Sequence, residues 1–347
     1  MELTSKHTKL TILSSRRSRW WLALGIALLL ALVAGGFVYH KLTAVRLGQS
    51  SVGLTPLTEL GSQKYHGMEG GLYPGGSNER PSEHEAAGVK IANEIRPLAS
   101  NGTVDEANGK IGFVAVGMSN TSLEFETFLD QTDEIPQLDT AVVFVDGAQH
   151  SKASQFVADP NDDYWTVLGE RLADASLSDE QVQIVWLKEA RARTNLPFPL
   201  DALLLKADLR EIIELLYERF PNLKIVYLSS RTYGGYATID LNPEPYAYQS
   251  AFAVKWLIED QIDGDVGLNY DPEKGTVYAP WLSWGPYLWA DGLAAEHEGF
   301  IWEQSDFSFD GTHTSPSGQA KVAGLLYHFL RTDETAVPWF LSAEAGQ

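Results

Sequence analysis

The sequence predicts an α/β fold, a three-layer α/β/α sandwich around a parallel sheet, preceded by one N-terminal transmembrane helix. Three observations carry this expectation. Short apolar, β-branched runs alternate with amphipathic helical runs after residue 110, and 44% hydrophobic residues in 347 suffice for a large core. A twenty-residue uncharged run, WWLALGIALLLALVAGGFVY, occupies positions 20–39. The chain holds no Cys, so the fold depends on packing alone, and thiol catalysis, disulfides and Cys-ligated zinc are excluded.

In chain order, residues 1–19 form a basic tail with Lys6, Lys9, Arg16, Arg17 and Arg19 against Glu2. The run at 20–39 would span about 30 Å as a helix, the thickness of a bilayer core. The preceding cations keep the tail cytoplasmic and place everything after Tyr39 outside the membrane. A cleaved signal peptide is the alternative, with Val33 and Gly35 as small residues at a cleavage site. Trp20, Trp21 and Tyr39 at the ends of the run, and its length, favour the anchor. Residues 40–109 are expected to be a juxtamembrane segment, with six glycines between 61 and 76 and a helix in HEAAGVKIANEIRPL.

The domain proper is expected over 110–347. Runs at 111–116, 141–145, 183–187 and 224–228 lack the alternation of half-exposed strands, as when both faces of a parallel sheet are covered. The clearest helix lies at 201–220, where Leu204, Leu205, Leu209, Ile212, Ile213, Leu216 and Phe220 are expected to share one side and Pro221 ends the run. Right-handed crossovers then put the chemistry at the carboxyl ends of the strands.

Those ends hold the candidate residues. Ser119, in Gly117-Met118-Ser119-Asn120-Thr121, stands between the first strand and a helix, where a nucleophile would be exposed beside free N–H groups. The same residues would serve as an ordinary helix cap. Gly147 follows the second strand in Asp146-Gly147-Ala148-Gln149-His150. Near the C-terminus, Asp310-Gly311-Thr312-His313 precedes Ser315, a cap candidate, and Pro316 at a helix start. An acid three residues before a histidine can orient the imidazole for a Ser–His–Asp relay, or simply cap its own turn.

Together these blocks resemble the SGNH (GDSL-type) hydrolases over roughly 110–333, in a divergent, extracytoplasmic bacterial branch that shares phrases such as GMSN, LSSRTYGGY and NPEPYAY. The resemblance implies a flavodoxin-like sheet, Ser119 as nucleophile, Gly147 as an oxyanion donor, and Asp310 with His313 completing the relay. Two departures stand out. Met118 replaces the usual aspartate, and the third strand ends in Trp186-Leu187-Lys188-Glu189-Ala190 without the oxyanion asparagine. A lost oxyanion donor costs about 10²–10³ in rate, so Lys188, Asn120 and Gln149 are candidate replacements.

Arg231, after the fourth strand, is a candidate clamp for a substrate carboxylate, with Gln149 a second substrate contact; pairing of Arg231 with Glu244 is the structural alternative. Trp281, Trp284, Tyr287, Trp289 and Trp302 are expected to be mostly core, though exposed rings would form a sugar platform. Asp159, Asp162 and Asp163 fit a solvated helix start better than a Ca²⁺ loop, and His66, His84, His150 and His297 lack metal-ligand spacing. No metal or organic cofactor is expected. A net charge of −20 argues against nucleic-acid partners. The resemblance implies a serine esterase; with the run at 20–39 the chain is expected to be membrane-anchored and outward-facing, and its location, its aromatic density and Arg231 favour an acylated glycan over another ester, with O-deacetylation as the expected reaction. A silent glycan-binding scaffold and an O-acetyltransferase are the alternatives.

Overall fold

A computed structural model describes residues 48–342 except 133 and 295–299. The basic tail, the uncharged run at 20–39 and His297 lie outside the described residues. Among the described residues no helix is long and apolar enough to cross a membrane.

Five parallel strands form the central sheet: β1 (Ile111–Gly117), β2 (Val142–Asp146), β3 (Val182–Lys188), β4 (Ile225–Ser229) and β5 (Trp281–Trp284), in the order β2-β1-β3-β4-β5. This is the flavodoxin-like order, with its switch point between β1 and β3. Every residue of β1, β3, β4 and β5 is buried, which is why these runs are apolar without alternation. The fifth strand was not among the expected ones. Its four residues sit inside the aromatic stretch, too short for a periodicity signal.

Helices cover both faces. They are α1 (Ser82–Ala92), α2 (Ser119–Thr132), α3 (Tyr164–Asp174), α4 (Leu200–Arg219), α5 (Tyr246–Ile262) and α6 (Pro316–Thr332). The α2 helix packs on α6, and α4 on α5. Leu205, Leu209, Ile212, Ile213 and Leu216 of α4, with Phe220 after it, are buried, whereas Leu204, expected on the same stripe, is exposed, one position off the face that meets α5.

Part of the segment before β1 packs with the sheet. Val52, Leu57, Leu60, Leu72, Tyr73 and Ile95 belong to the same core as the sheet. Gly88 of α1 lies flush on Trp281, where a Cβ would come within 2.3 Å of the ring. Tyr73 bonds Ser283 on β5 at 3.0 Å, and its carbonyl accepts from Lys255 on α5 at 2.8 Å. These contacts fasten the segment before β1 to β5 and α5.

Candidate active site

The β1 strand ends at Gly117, where any side chain would collide with the Lys188 carbonyl and Thr121 at 2.4 Å. The chain can therefore pass close to β3 and turn into α2, presenting Ser119 in the first helical position. At the other side, Gly311 has φ +65°, and a Cβ there would lie 1.9 Å from the Tyr236 carbonyl oxygen. Only glycine fits both that conformation and that approach. The Asp310–His313 turn is held further by Thr238 N–H on the Asp310 carbonyl, 2.8 Å, and Ser308 N–H on that of His313, 2.7 Å. Ser315 stands at the N-cap of α6 as expected, yet its hydroxyl donates to the Ser305 carbonyl at 2.6 Å and not to the helix.

These turns bring together residues 194 positions apart. Ser119 Oγ lies 2.8 Å from His313 Nε2, and His313 Nδ1 lies 2.6 Å from Asp310 Oδ2. The other carboxylate oxygen, Asp310 Oδ1, accepts from the backbone N–H of Thr312 at 2.9 Å and of His313 at 3.0 Å. Burial alone would raise the Asp310 carboxyl, but the hydrogen bonds from His313 and Thr312 outweigh it and hold the group below its ordinary value. An ionised carboxylate only accepts, so Nδ1 carries the ring proton and Nε2 offers its lone pair to the Ser119 hydroxyl. Asn120 ties the two turns together by donating its amide to the Thr312 carbonyl at 2.9 Å.

The oxyanion donors differ from expectation. Gly147 N–H donates to the Ala115 carbonyl at 2.9 Å, continuing the β1–β2 ladder, so it is not aimed at Ser119. Gly147 is instead fixed by packing, since a Cβ would meet Leu168 at 2.7 Å and the Ala115 carbonyl at 2.8 Å. Lys188 is fully buried and paired with Glu124, outside the cavity that holds Ser119. Burial pushes its ammonium down, to about 8. Gln149 also turns inward, with its side-chain amide on the Tyr164 carbonyl at 2.8 Å and its backbone N–H on that of Gly117 at 2.9 Å. Neither Lys188 nor Gln149 reaches the site, and the Asn120 amide is occupied by Thr312. The N–H groups of Ser119 and Asn120, in the first turn of α2, have no intrahelical acceptor and lie close to the Ser119 hydroxyl along the chain.

Ser119 and His313 open into a cavity of about 550 Å³, walled by the 150–156 and 190–193 segments and by Arg231, Leu241 and Asn242. Sequence reasoning did not identify the first two walls, because Lys152, Arg191 and Arg193 look like ordinary surface cations until the loops are folded together. It also missed Glu124, whose only signal was a carboxylate on the apolar face shared with Phe125 and Phe128. Arg231 does not pair with Glu244, whose oxygens accept from Gly234 N–H, Tyr248 N–H and the Trp289 indole. Trp281, Trp284, Trp289 and Trp302 are buried core, so they offer no sugar platform. Asp162 and Asp163 pair with Lys152.

No protein-family profile matches the chain, and no curated protein matches it by sequence. The solved structures similar to this chain include the following three. A candidate acylhydrolase from Bacteroides fragilis NCTC 9343 is 11% identical, at 72% coverage of this chain and 97% of the other, with a TM-score of 0.38. The periplasmic domain of a lipopolysaccharide acetyltransferase from Salmonella ser. Paratyphi A is 16% identical, at 64% and 83% coverage, TM-score 0.34. The C-terminal catalytic domain of Streptococcus pneumoniae peptidoglycan O-acetyltransferase A is 13% identical, at 65% and 95% coverage, TM-score 0.33.

Proposed function

We propose that this chain is a serine esterase of SGNH type, acting outside the membrane on acyl esters of glycans. The observation that carries the proposal is the continuous Ser119–His313–Asp310 hydrogen-bond chain at 2.8 and 2.6 Å, opening into a cavity. In this mechanism Ser119 Oγ attacks the ester carbonyl while His313 Nε2 takes its proton. Asp310 keeps the other ring nitrogen protonated and stabilises the imidazolium. The N–H groups of Ser119 and Asn120, at the positive end of α2, receive the oxyanion. Collapse expels the alcohol, protonated by His313, and leaves an acyl-serine. Water, activated by the same imidazole, releases the acid and restores Ser119; a sugar hydroxyl in place of water would make the reaction an acyl transfer.

The outward placement rests on the uncharged run at 20–39 and the cations before it. With the aromatic cluster buried, that placement is what supports a glycan substrate over a lipid one. A silent scaffold would have no need for a hydrogen-bonded serine and histidine held by two such constrained turns.

The test is to treat the full-length protein in detergent with a fluorophosphonate probe. Labelling at Ser119, and loss of both label and acetyl-ester turnover in Ser119→Ala with the melting temperature within a few degrees, is the expected result. An unlabelled wild type, or a mutant that still turns over, refutes the mechanism. The membrane placement is checked by carbonate extraction, which a spanning protein resists, whereas a mature form starting near residue 36 identifies a signal peptide.

A further inference from the structure

The cavity in front of Ser119 has a charge opposite to that of the chain. Lys152, Arg191, Arg193 and Arg231 line it and, among the described residues, no Asp or Glu does, although acids outnumber bases 46 to 26 in the sequence. Lys152 is neutralised by Asp162 and Asp163, and Arg191 by Asp208. The other two guanidiniums are not neutralised in this way. Arg193, exposed at the mouth, has Asp240 at 4.0 Å, with both side chains more than three-quarters in solvent. Such a pair contributes close to nothing.

Arg231 is the stronger observation. It is only 2% exposed, its Nε has no acceptor, and its Nη2 reaches the Thr312 carbonyl at a long 3.5 Å. The carboxylates that act on it electrostatically have other hydrogen-bond donors. Glu124 holds Lys188 and Thr314, Glu189 takes the Ala190 N–H on one oxygen while its buried Oε1 has no hydrogen-bond partner, Glu244 is occupied as described, and Asp310 holds His313; none of the four forms a hydrogen bond with Arg231. Burial accordingly lowers the guanidinium's affinity for its proton by more than these acids restore. A buried cation with an unmet N–H in a cavity is half of a pair, and the planar fork of arginine matches a carboxylate or phosphate. Ser151 and Arg193, on the cavity wall, are also held at φ +66° and +55°, a cost that folds retain mainly where a surface must keep a particular shape.

We infer that the substrate carries a negative charge beside its ester, a carboxylate or a phosphate, which Arg231 receives deep in the cavity and Arg193 meets at the mouth. This inference takes the serine-esterase reading as its base and adds the substrate class.

The experiment uses full-length Ser119→Ala in detergent, titrated calorimetrically with oligogalacturonate, a neutral xylo-oligosaccharide and glucose 6-phosphate. Binding of a charged ligand at least tenfold tighter than the neutral one is expected, falling steeply between 20 and 500 mM NaCl. Adding Arg231→Gln should weaken it tenfold or more, and Arg193→Gln about threefold; the exposed Arg193 variant keeps the test open if Arg231→Gln does not fold. Preference for oligogalacturonate assigns a carboxylate, and preference for glucose 6-phosphate a phosphate. In wild type, the ratio of kcat/KM for acetylated oligogalacturonate over acetylated xylo-oligosaccharide should exceed ten and drop in both arginine variants if the charge is a carboxylate. No preference for either charged ligand over the neutral one, or affinity indifferent to salt, overturns the inference. Charge-selective binding without turnover of any ester refutes the esterase reading alone.

Discussion

Asp310→Asn separates a working relay from a fortuitous contact. In the wild type, Oδ1 is fixed by two backbone N–H groups at 2.9 and 3.0 Å, which leaves Oδ2 for His313 Nδ1 at 2.6 Å. Asparagine has one acceptor and one donor, and the two backbone donors claim the acceptor. Its NH₂ is then forced onto His313 Nδ1, which must present a lone pair, so the ring proton moves to Nε2. That nitrogen faces Ser119 Oγ at 2.8 Å and can no longer take its proton. A wrong tautomer of this kind costs about 10⁴ in kcat, equivalent to about 5 kcal/mol of transition-state stabilisation. The stability cost is smaller, about 2 kcal/mol for one charge-assisted hydrogen bond weakened. The assay is p-nitrophenyl acetate hydrolysis alongside the rate of fluorophosphonate labelling, with the melting curve as a control for folding. Retention of more than about a tenth of wild-type kcat in a folded Asp310→Asn protein would show that Asp310 does not set the tautomer of His313.

Three further outcomes follow from the same structure. Lys188→Met should destabilise the fold by about 3–5 kcal/mol in denaturant titrations, because it leaves Glu124 buried without its cation; the double variant with Glu124→Leu should recover part of the loss, and no recovery would deny the pair its role. Gly311→Ala should lower the melting temperature and cut turnover at least a hundredfold, since its Cβ would lie 1.9 Å from the Tyr236 carbonyl and displace the turn carrying His313; a fully active variant would contradict this. Burial pushes His84 down to about 4, against about 6.5 when unfolded, so the unfolded chain takes a proton between these values while the folded one does not. Its contribution is complete above pH 6.5 and lost as pH falls toward 4, about 3 kcal/mol over that window, and His84→Gln should remove this part of the acid destabilisation measured by denaturant melts.

The sequence by itself determined what depends on local order along the chain. The apolar runs of β1, β3 and β4 and most of the stripe of α4 announce their burial, because a strand covered on both faces or a helix covered on one must show it in residue type, whereas the similar run of β2 lies at the sheet edge with Val143, Phe144 and Asp146 only half-buried. The turns carrying Ser119 and Asp310–His313 were legible for the same reason: a strand end, a glycine and a helix start are neighbours in sequence. The proposed anchor at 20–39 is likewise a local property, and sequence remains its whole support. Tertiary structure decided the rest. Whether the Gly147 N–H faces Ser119 depends on the Ala115 carbonyl of the adjoining strand, which takes it. Whether Lys188 reaches the site depends on Glu124, 64 residues earlier, which draws it inward. The cationic cavity wall combines Lys152, Arg191, Arg193 and Arg231 from three separate loops, and the segment before β1 joins the core through contacts such as those of Tyr73 and Gly88 with β5. Hydrogen-bond direction and charge pairing are set between segments brought together by the crossovers of the sheet. No spacing along the chain encodes them.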